Sequence, residues 1–199
     1  SANLFTTEGL IMSSTLITNA LILPMTEKRQ SFFGYVRIQD GAITAVHTDT
    51  LPEVLPDEQV IDAAGGVLMP GLVNAHTHLE LSYLRGRIAP AARFLDWVRP
   101  MLAARQERSL IDDAAILRAA AQAIQEARAT GTALVGDVTN TLATVSALAD
   151  AGMPAHVFHE LIGFGGVDVD EQVASARRAI DAVAGGAVAG GAVAYDAVA

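Results

Sequence analysis

A chain of 199 residues, 51% of them hydrophobic, has enough apolar side chain for a sizeable core, and its composition argues against disorder. The formal net charge of -9, from 22 acidic and 13 basic residues, argues against a nucleic-acid backbone or an anionic membrane surface as the main partner, because both need clustered Lys and Arg. With no cysteine there can be no disulfide framework, thiolate metal site or Cys nucleophile, so any metal must be held by His and carboxylates.

Residues 1–11 lack the basic start and long apolar core of a signal peptide, and Met12 opens a more natural beginning. They are read as a tag or a disordered leader. Residues 12–67 read as β structure. TLITNALIL is a short apolar run, and YVRIQDGAITAV is two strand-like runs around Asp40-Gly41. Asp-Gly is a strong hairpin signal because both turn residues tolerate φ > 0. Pro52 and Pro56 bracket a loop, and QVIDAAGGVLMPG gives another short strand broken at Gly65-Gly66.

From residue 68 to 199 the texture changes to strands alternating with helices. An apolar run from Val67 ends at Asn74, and residues 91–106 look helical. Ser109 and Asp112 resemble a capping box for a helix with Ala114, Leu117, Ala121 and Ile124 at helical spacing. Gly131 should stop it, and TALVGDV (132–138) is a buried-strand candidate. Asn140 is a candidate cap for a helix with Val145 and Leu148 inward, stopping near Gly152. Ala155 to Leu161 is the next strand. Asp170 is a candidate cap for a helix through Val173, Ala176, Ile180 and Val183, and residues 192–199 enter one more strand. The spacing of Gly163-Phe164-Gly165-Gly166 fails the dinucleotide-binding pattern and reads as a loop. The uncharged stretch 182–195 is broken by glycines and lacks Leu, Ile and Phe, so it is not read as a membrane span. Alternating strands and helices imply a parallel sheet with helices outside it, either open or closed into a barrel.

The informative stretch is PGLVNAHTHLELSYLRG, residues 70–86. Positions i and i+2 of a strand project to one face, so His76 and His78 can converge on one cation from a single strand end. His78-Leu79-Glu80 matches half of the cytidine-deaminase zinc signature, but the other half needs cysteines that this chain lacks.

VLMPGLVNAHTHLELSYLRG resembles the first barrel strand of the amidohydrolase superfamily, in particular its cytosine-deaminase-like and chlorohydrolase-like subgroup. Together with FLDWV (94–98), GDVTNT (136–141) and FHELIGF (158–164), it is similar to the aminodeoxyfutalosine deaminase-like proteins. The resemblance covers about residues 15–199. It implies an α/β fold, a partial (β/α)8 TIM-like barrel with about strands 1–3 and the start of 4, preceded by a small β-sandwich segment in 12–67. It implies one divalent metal ion, zinc or iron, with His76 and His78 as ligands. It further implies hydrolytic removal of an amino group from a heterocycle or purine nucleoside by metal-activated hydroxide. A chlorohydrolase or cyclic-amide hydrolase would use the same His pair. The resemblance places the other ligands and the general acid/base beyond Ala199, so no catalytic residue is assigned here. The chain is therefore read as roughly the N-terminal half of a larger polypeptide, inactive by itself.

Three residues are carried as candidates for contact with a small-molecule substrate. Glu80 either meets substrate hydroxyls or braces its loop. Trp97, the lone tryptophan, either stacks on a heteroaromatic ring or packs at a rim. Glu160 ends a strand where barrel residues face substrate; the bland alternative is a salt-bridged loop carboxylate. Asp137 is read as structural, and His159 as facing away from Glu160. The expected location is the cytoplasm, without nucleic-acid or membrane partners; a homodimer is left open.

Overall fold

In the computed structural model the described residues are 14–26, 30–48, 52–106, 114–161, 168–187 and 193–198. The chain divides into two compact units between Pro70 and Gly71.

The first unit is a five-stranded sheet. Its strands are β1 (Ser14–Ile22), β2 (Phe32–Gln39), β3 (Ala42–Thr48), β4 (Gln59–Asp62) and β5 (Val67–Leu68). β1 is central. It runs antiparallel to β2 and parallel to β4 and β5, and β2 pairs β3. Alternation sets its buried face, since Leu16, Thr18, Ala20 and Ile22 point inward. Ala20, Ile22 and Val36 form a small core with Phe32, Ile38, Ala63 and Leu68 against it. The β2–β3 hairpin turns at Asp40 (φ 50°) and Gly41 (φ 78°), the two positive φ values that the Asp-Gly signal anticipates. Glu58 ties the loop before β4 to the sheet. Its carboxylate takes Arg37 at 2.7 and 3.0 Å, Ser14 Oγ at 2.6 Å and the Leu55 N–H at 3.1 Å.

The second unit is a four-stranded parallel sheet in the order β6 (Leu72–Thr77), β7 (Thr132–Thr139), β8 (Ala155–Glu160), β9 (Val193–Val198). A 3₁₀ turn (Leu79–Leu84) and the helices α1 (Phe94–Gln106), α2 (Ala114–Ala129), α3 (Thr144–Asp150) and α4 (Val169–Ala187) connect the strands. The core lies between one face of the sheet and the helices. Leu79, Ile124, Val135, Leu142, Val145, Leu148, Met153, Ala155 and Val157 fill it. Among the described residues no helix is long and apolar enough to cross a membrane.

Several local expectations shift. The first strand of this unit starts at Leu72 and carries on through His76, because Pro70-Gly71 interrupts the apolar run that begins at Val67. The buried stripe of α2 is Ile116, Ala120 and Ile124, and Ala114 is exposed. The helical spacing is as expected, but the phase is set by packing against the 3₁₀ turn, α3 and β7. The Ser109–Asp112 start and the 163–166 loop lie outside the described residues. Asn140 does not cap α3, whose first turn has no side-chain cap. Asp168, two residues before the expected Asp170, accepts the N–H groups of Asp170 and Glu171 at the start of α4. Gly131 (φ 93°) and Gly152 (φ 57°) sit just after α2 and α3, where a left-handed residue ends a helix.

Candidate metal centre

β6 does not pair evenly with β7. The register runs from Asn74 opposite Val135 to Thr77 opposite Asp137, so β6 spends one extra residue there. This is a bulge, which re-aims the side chains it carries. It brings the β6 backbone so close that a Cβ at Gly136 would lie 2.4 Å from the Ala75 carbonyl oxygen. A side chain is therefore incompatible with that position as the strands now lie.

Beyond the bulge, Thr77, Asp137 and Val157 share the helix-facing side of the sheet, by register and by the burial of Val157 in the core. Alternation then puts His78, Val138, Phe158 and Glu160 on the opposite side, and His76, within the bulge, meets His78 there. His76 and His78 present their Nε2 atoms to each other at 3.2 Å, with ring planes at 78°. His78 Nδ1 lies 2.8 Å from the Val138 carbonyl. A carbonyl only accepts, so Nδ1 carries a proton, which in the neutral imidazole leaves the Nε2 lone pair for a ligand. Two nitrogens at ~2.0–2.1 Å from a tetrahedral zinc stand roughly 3.3 Å apart, so this pair fits one edge of such a site. Among the described residues no group of three or more His, Asp or Glu could hold a metal.

The segment around His78 is held by two buried carboxylates. Asp137 is fully buried. Its Oδ1 accepts the Leu79 N–H at 2.8 Å and lies 3.0 Å from Thr77 Oγ1, whose proton is also within reach of the Gly136 carbonyl at 3.1 Å. Its Oδ2 accepts Thr144 Oγ1 at 2.7 Å. Burial raises the Asp137 pKa above the usual carboxylate range, against the lowering by these hydrogen bonds. Glu80 is 3% exposed. Oε2 takes the hydroxyls of Thr139 (2.6 Å) and Thr141 (2.5 Å) and the Thr141 N–H (3.2 Å). Oε1 takes the Asn140 N–H (3.1 Å) and the Arg105 guanidinium (2.9 Å). Burial pushes this carboxyl up, but the Thr139, Thr141 and Asn140 bonds and the Arg105 charge outweigh it, so its pKa lies below the usual range.

Of the two readings open for Glu80, the structure gives it the geometry of a brace. Both oxygens are engaged by the protein, and almost none of the residue reaches solvent. Trp97 sits on α1 with 38% of its surface exposed and its ring tilted against Phe94 at 6.1 Å. Glu160 lines an open cavity of about 340 Å³ with Arg105, Asn140, His159, Leu161 and Gln172. His159 is buried on the sheet face opposite Glu160, and its Nδ1 has no hydrogen-bond partner among the described residues. Arg105 is the residue that sequence reasoning passed over. It reaches from the end of α1 to both Glu80 and the Asn140 Oδ1 (2.5 Å), while Asn140 Nδ2 donates to the Glu160 carbonyl at 2.7 Å. The available signal was Thr139-Asn140-Thr141, a polar run closing an apolar strand.

The profile of the amidohydrolase family matches residues 67–194, more than half of the chain, and the chain belongs to that family. A 5'-deoxyadenosine deaminase of Methanosarcina mazei is 31% identical over 153 residues, 76% of this chain and 34% of that protein. An adenosine deaminase of Xanthomonas campestris with bound zinc superposes with a TM-score of 0.71 at 22% identity, over 93% of this chain and 42% of that one. An aminofutalosine deaminase of Helicobacter pylori gives a TM-score of 0.70 at 18% identity, over 93% and 43%. The structural likenesses speak for the fold. The chain spans about a third of the length of this curated relative.

Proposed function

We propose that this chain carries the first metal-binding strand of a metal-dependent hydrolytic deaminase acting on an amino-substituted heterocycle, in particular an adenosine-like nucleoside. On this reading residues 12–67 are a β-sandwich segment and 68–199 the N-terminal part of a (β/α)8 barrel, with β6 to β9 as its first four strands. The observation that carries the reading is the His76–His78 pair, with Nε2 atoms 3.2 Å apart and one tautomer set by the Val138 carbonyl. Family membership and the deaminase relative support it.

His76 and His78 would hold one divalent ion, zinc or iron; both suit imidazole ligands. When bound, such an ion acidifies water and supplies hydroxide near neutral pH. The protein's part is placement. The Val138 carbonyl keeps the proton on His78 Nδ1 and turns Nε2 outward. Glu160, on the same sheet face, and Trp97 on α1 are the candidate contacts for a polar and an aromatic part of the substrate. The substrate is a small molecule.

The test is ammonia release from a panel of adenosine-like nucleosides, with zinc or ferrous iron supplied. It uses the longest polypeptide that contains this chain. Metal-dependent release, abolished by His78→Ala, is expected. Chloride release from a chlorinated triazine, or opening of a cyclic amide, in place of ammonia would overturn the deaminase reading and leave the metal centre standing.

A further inference from the structure

We infer that Asp137 is a positioning residue for the histidine pair, acting through the backbone on either side of His78 without touching the metal. The inference rests on the metal reading above and goes beyond it.

The sheet does not by itself hold this segment. Strand pairing between β6 and β7 skips from Asn74 to Thr77, so residues 75 and 76 lie in the bulge and the ladder ends one residue short of His78. Side-chain bonds take over where the ladder lapses. One oxygen of Asp137, Oδ1, meets both the Thr77 hydroxyl and the Leu79 N–H, the two residues that flank His78. The next residue along β7, Val138, takes the His78 imidazole proton. Asp137 and Val138 therefore define the place and the tautomer of His78 from one rigid strand.

The cost of Asp137 supports the same conclusion. It is fully buried, and the donors to its oxygens are neutral, two hydroxyls and one backbone N–H. A buried carboxylate without a facing cation is a poor stabiliser compared with an apolar side chain of similar size. Features that break a packing rule in this way are expected where a fold serves a site. Groups that orient metal-binding histidines commonly change metal affinity 10–100-fold when removed.

The two oxygens allow a clean test, because they serve different partners. Thr77→Val removes a bond on Oδ1, beside His78. Thr144→Val removes the bond on Oδ2, in the helical layer. Both are near-isosteric. In the longest polypeptide that contains this chain, zinc affinity would be measured by competition with a chromophoric chelator, alongside thermal unfolding of the metal-free protein. The imidazole tautomers would be read from long-range ¹H–¹⁵N correlation spectra. Thr77→Val is expected to weaken zinc about 10-fold or more and to erode the Nδ1–H form of His78. Thr144→Val is expected to lower the unfolding temperature while zinc affinity stays within about twofold. Asp137→Asn keeps Oδ1 as an acceptor, so its zinc affinity should fall less than that of Thr77→Val.

Equal effects of the two threonine variants on zinc would overturn the placement role and leave Asp137 as a structural residue. Zinc binding by the parent protein that survives Thr77→Val unchanged would do the same. No zinc binding at all by the longest polypeptide that contains this chain would remove the metal reading itself, and this inference with it.

Discussion

Glu58 shows how a single carboxyl can report on the integrity of its neighbourhood. The Arg37 hydrogen bond, against the cost of burial and with help from Ser14 and the Leu55 N–H, holds its pKa at about 2. A carboxyl depressed in the folded state contributes stability that is fully present above the unfolded value, near pH 4.3. As pH falls the unfolded chain takes up the proton first, so that stability is lost progressively between about pH 4.3 and pH 2. Acid titration of the first unit, followed by circular dichroism, should show this loss, and Glu58→Gln should flatten it. An unchanged acid midpoint in the variant would count against the ion pair as its source. At the second unit, His78→Ala should weaken zinc by more than the 10–100-fold typical of supporting groups, because it deletes a ligand. Equilibrium dialysis checks this, and retained binding would remove His78 from the centre.

At the scale of elements, the β6–β7 bulge is the feature on which the centre depends. Gly136→Ala would place a methyl 2.4 Å from a backbone oxygen, so strands must separate. Overpacking of this kind costs on the order of 1–3 kcal/mol. The variant should lose that stability by denaturant unfolding and also lose zinc binding; full retention of both would mean the strands are less closely held than they are here. The helices act as the cover of the sheet. Ile124 on α2 is 1% exposed within the core, and Ile124→Ala should cost roughly 2–5 kcal/mol by the same measurement.

For the whole molecule, the second unit exposes Leu72 (52%), Val73 (64%), Phe94 (71%) and Leu95 (57%). Apolar side chains at this density favour self-association. The 199-residue chain by itself should therefore elute larger than its 20.7 kDa in size-exclusion chromatography, increasingly so with concentration. A concentration-independent monomer would show that these side chains are tolerated in water.

The physical signals that are local were legible without coordinates. The Asp40-Gly41 hairpin follows from backbone sterics, the alternation of β7 and β8 with α2 to α4 follows from hydrophobic periodicity, and the placing of His76 and His78 on one side follows from the strand period of two. What only the tertiary structure decided depends on residues distant in sequence. The phase of the α2 stripe is set by the 3₁₀ turn and the elements it packs against. The choice of Asp168 over Asp170 as a cap, and the release of Asn140 from capping to bridge Arg105 and Glu160, depend on where neighbouring elements come to rest. The saturation of Glu80 by Arg105 and the 139–141 segment, and the grip of Asp137 on both sides of His78, span 25 to 61 positions of chain. No periodicity encodes such bonds, because they exist only once β6 and β7 lie side by side.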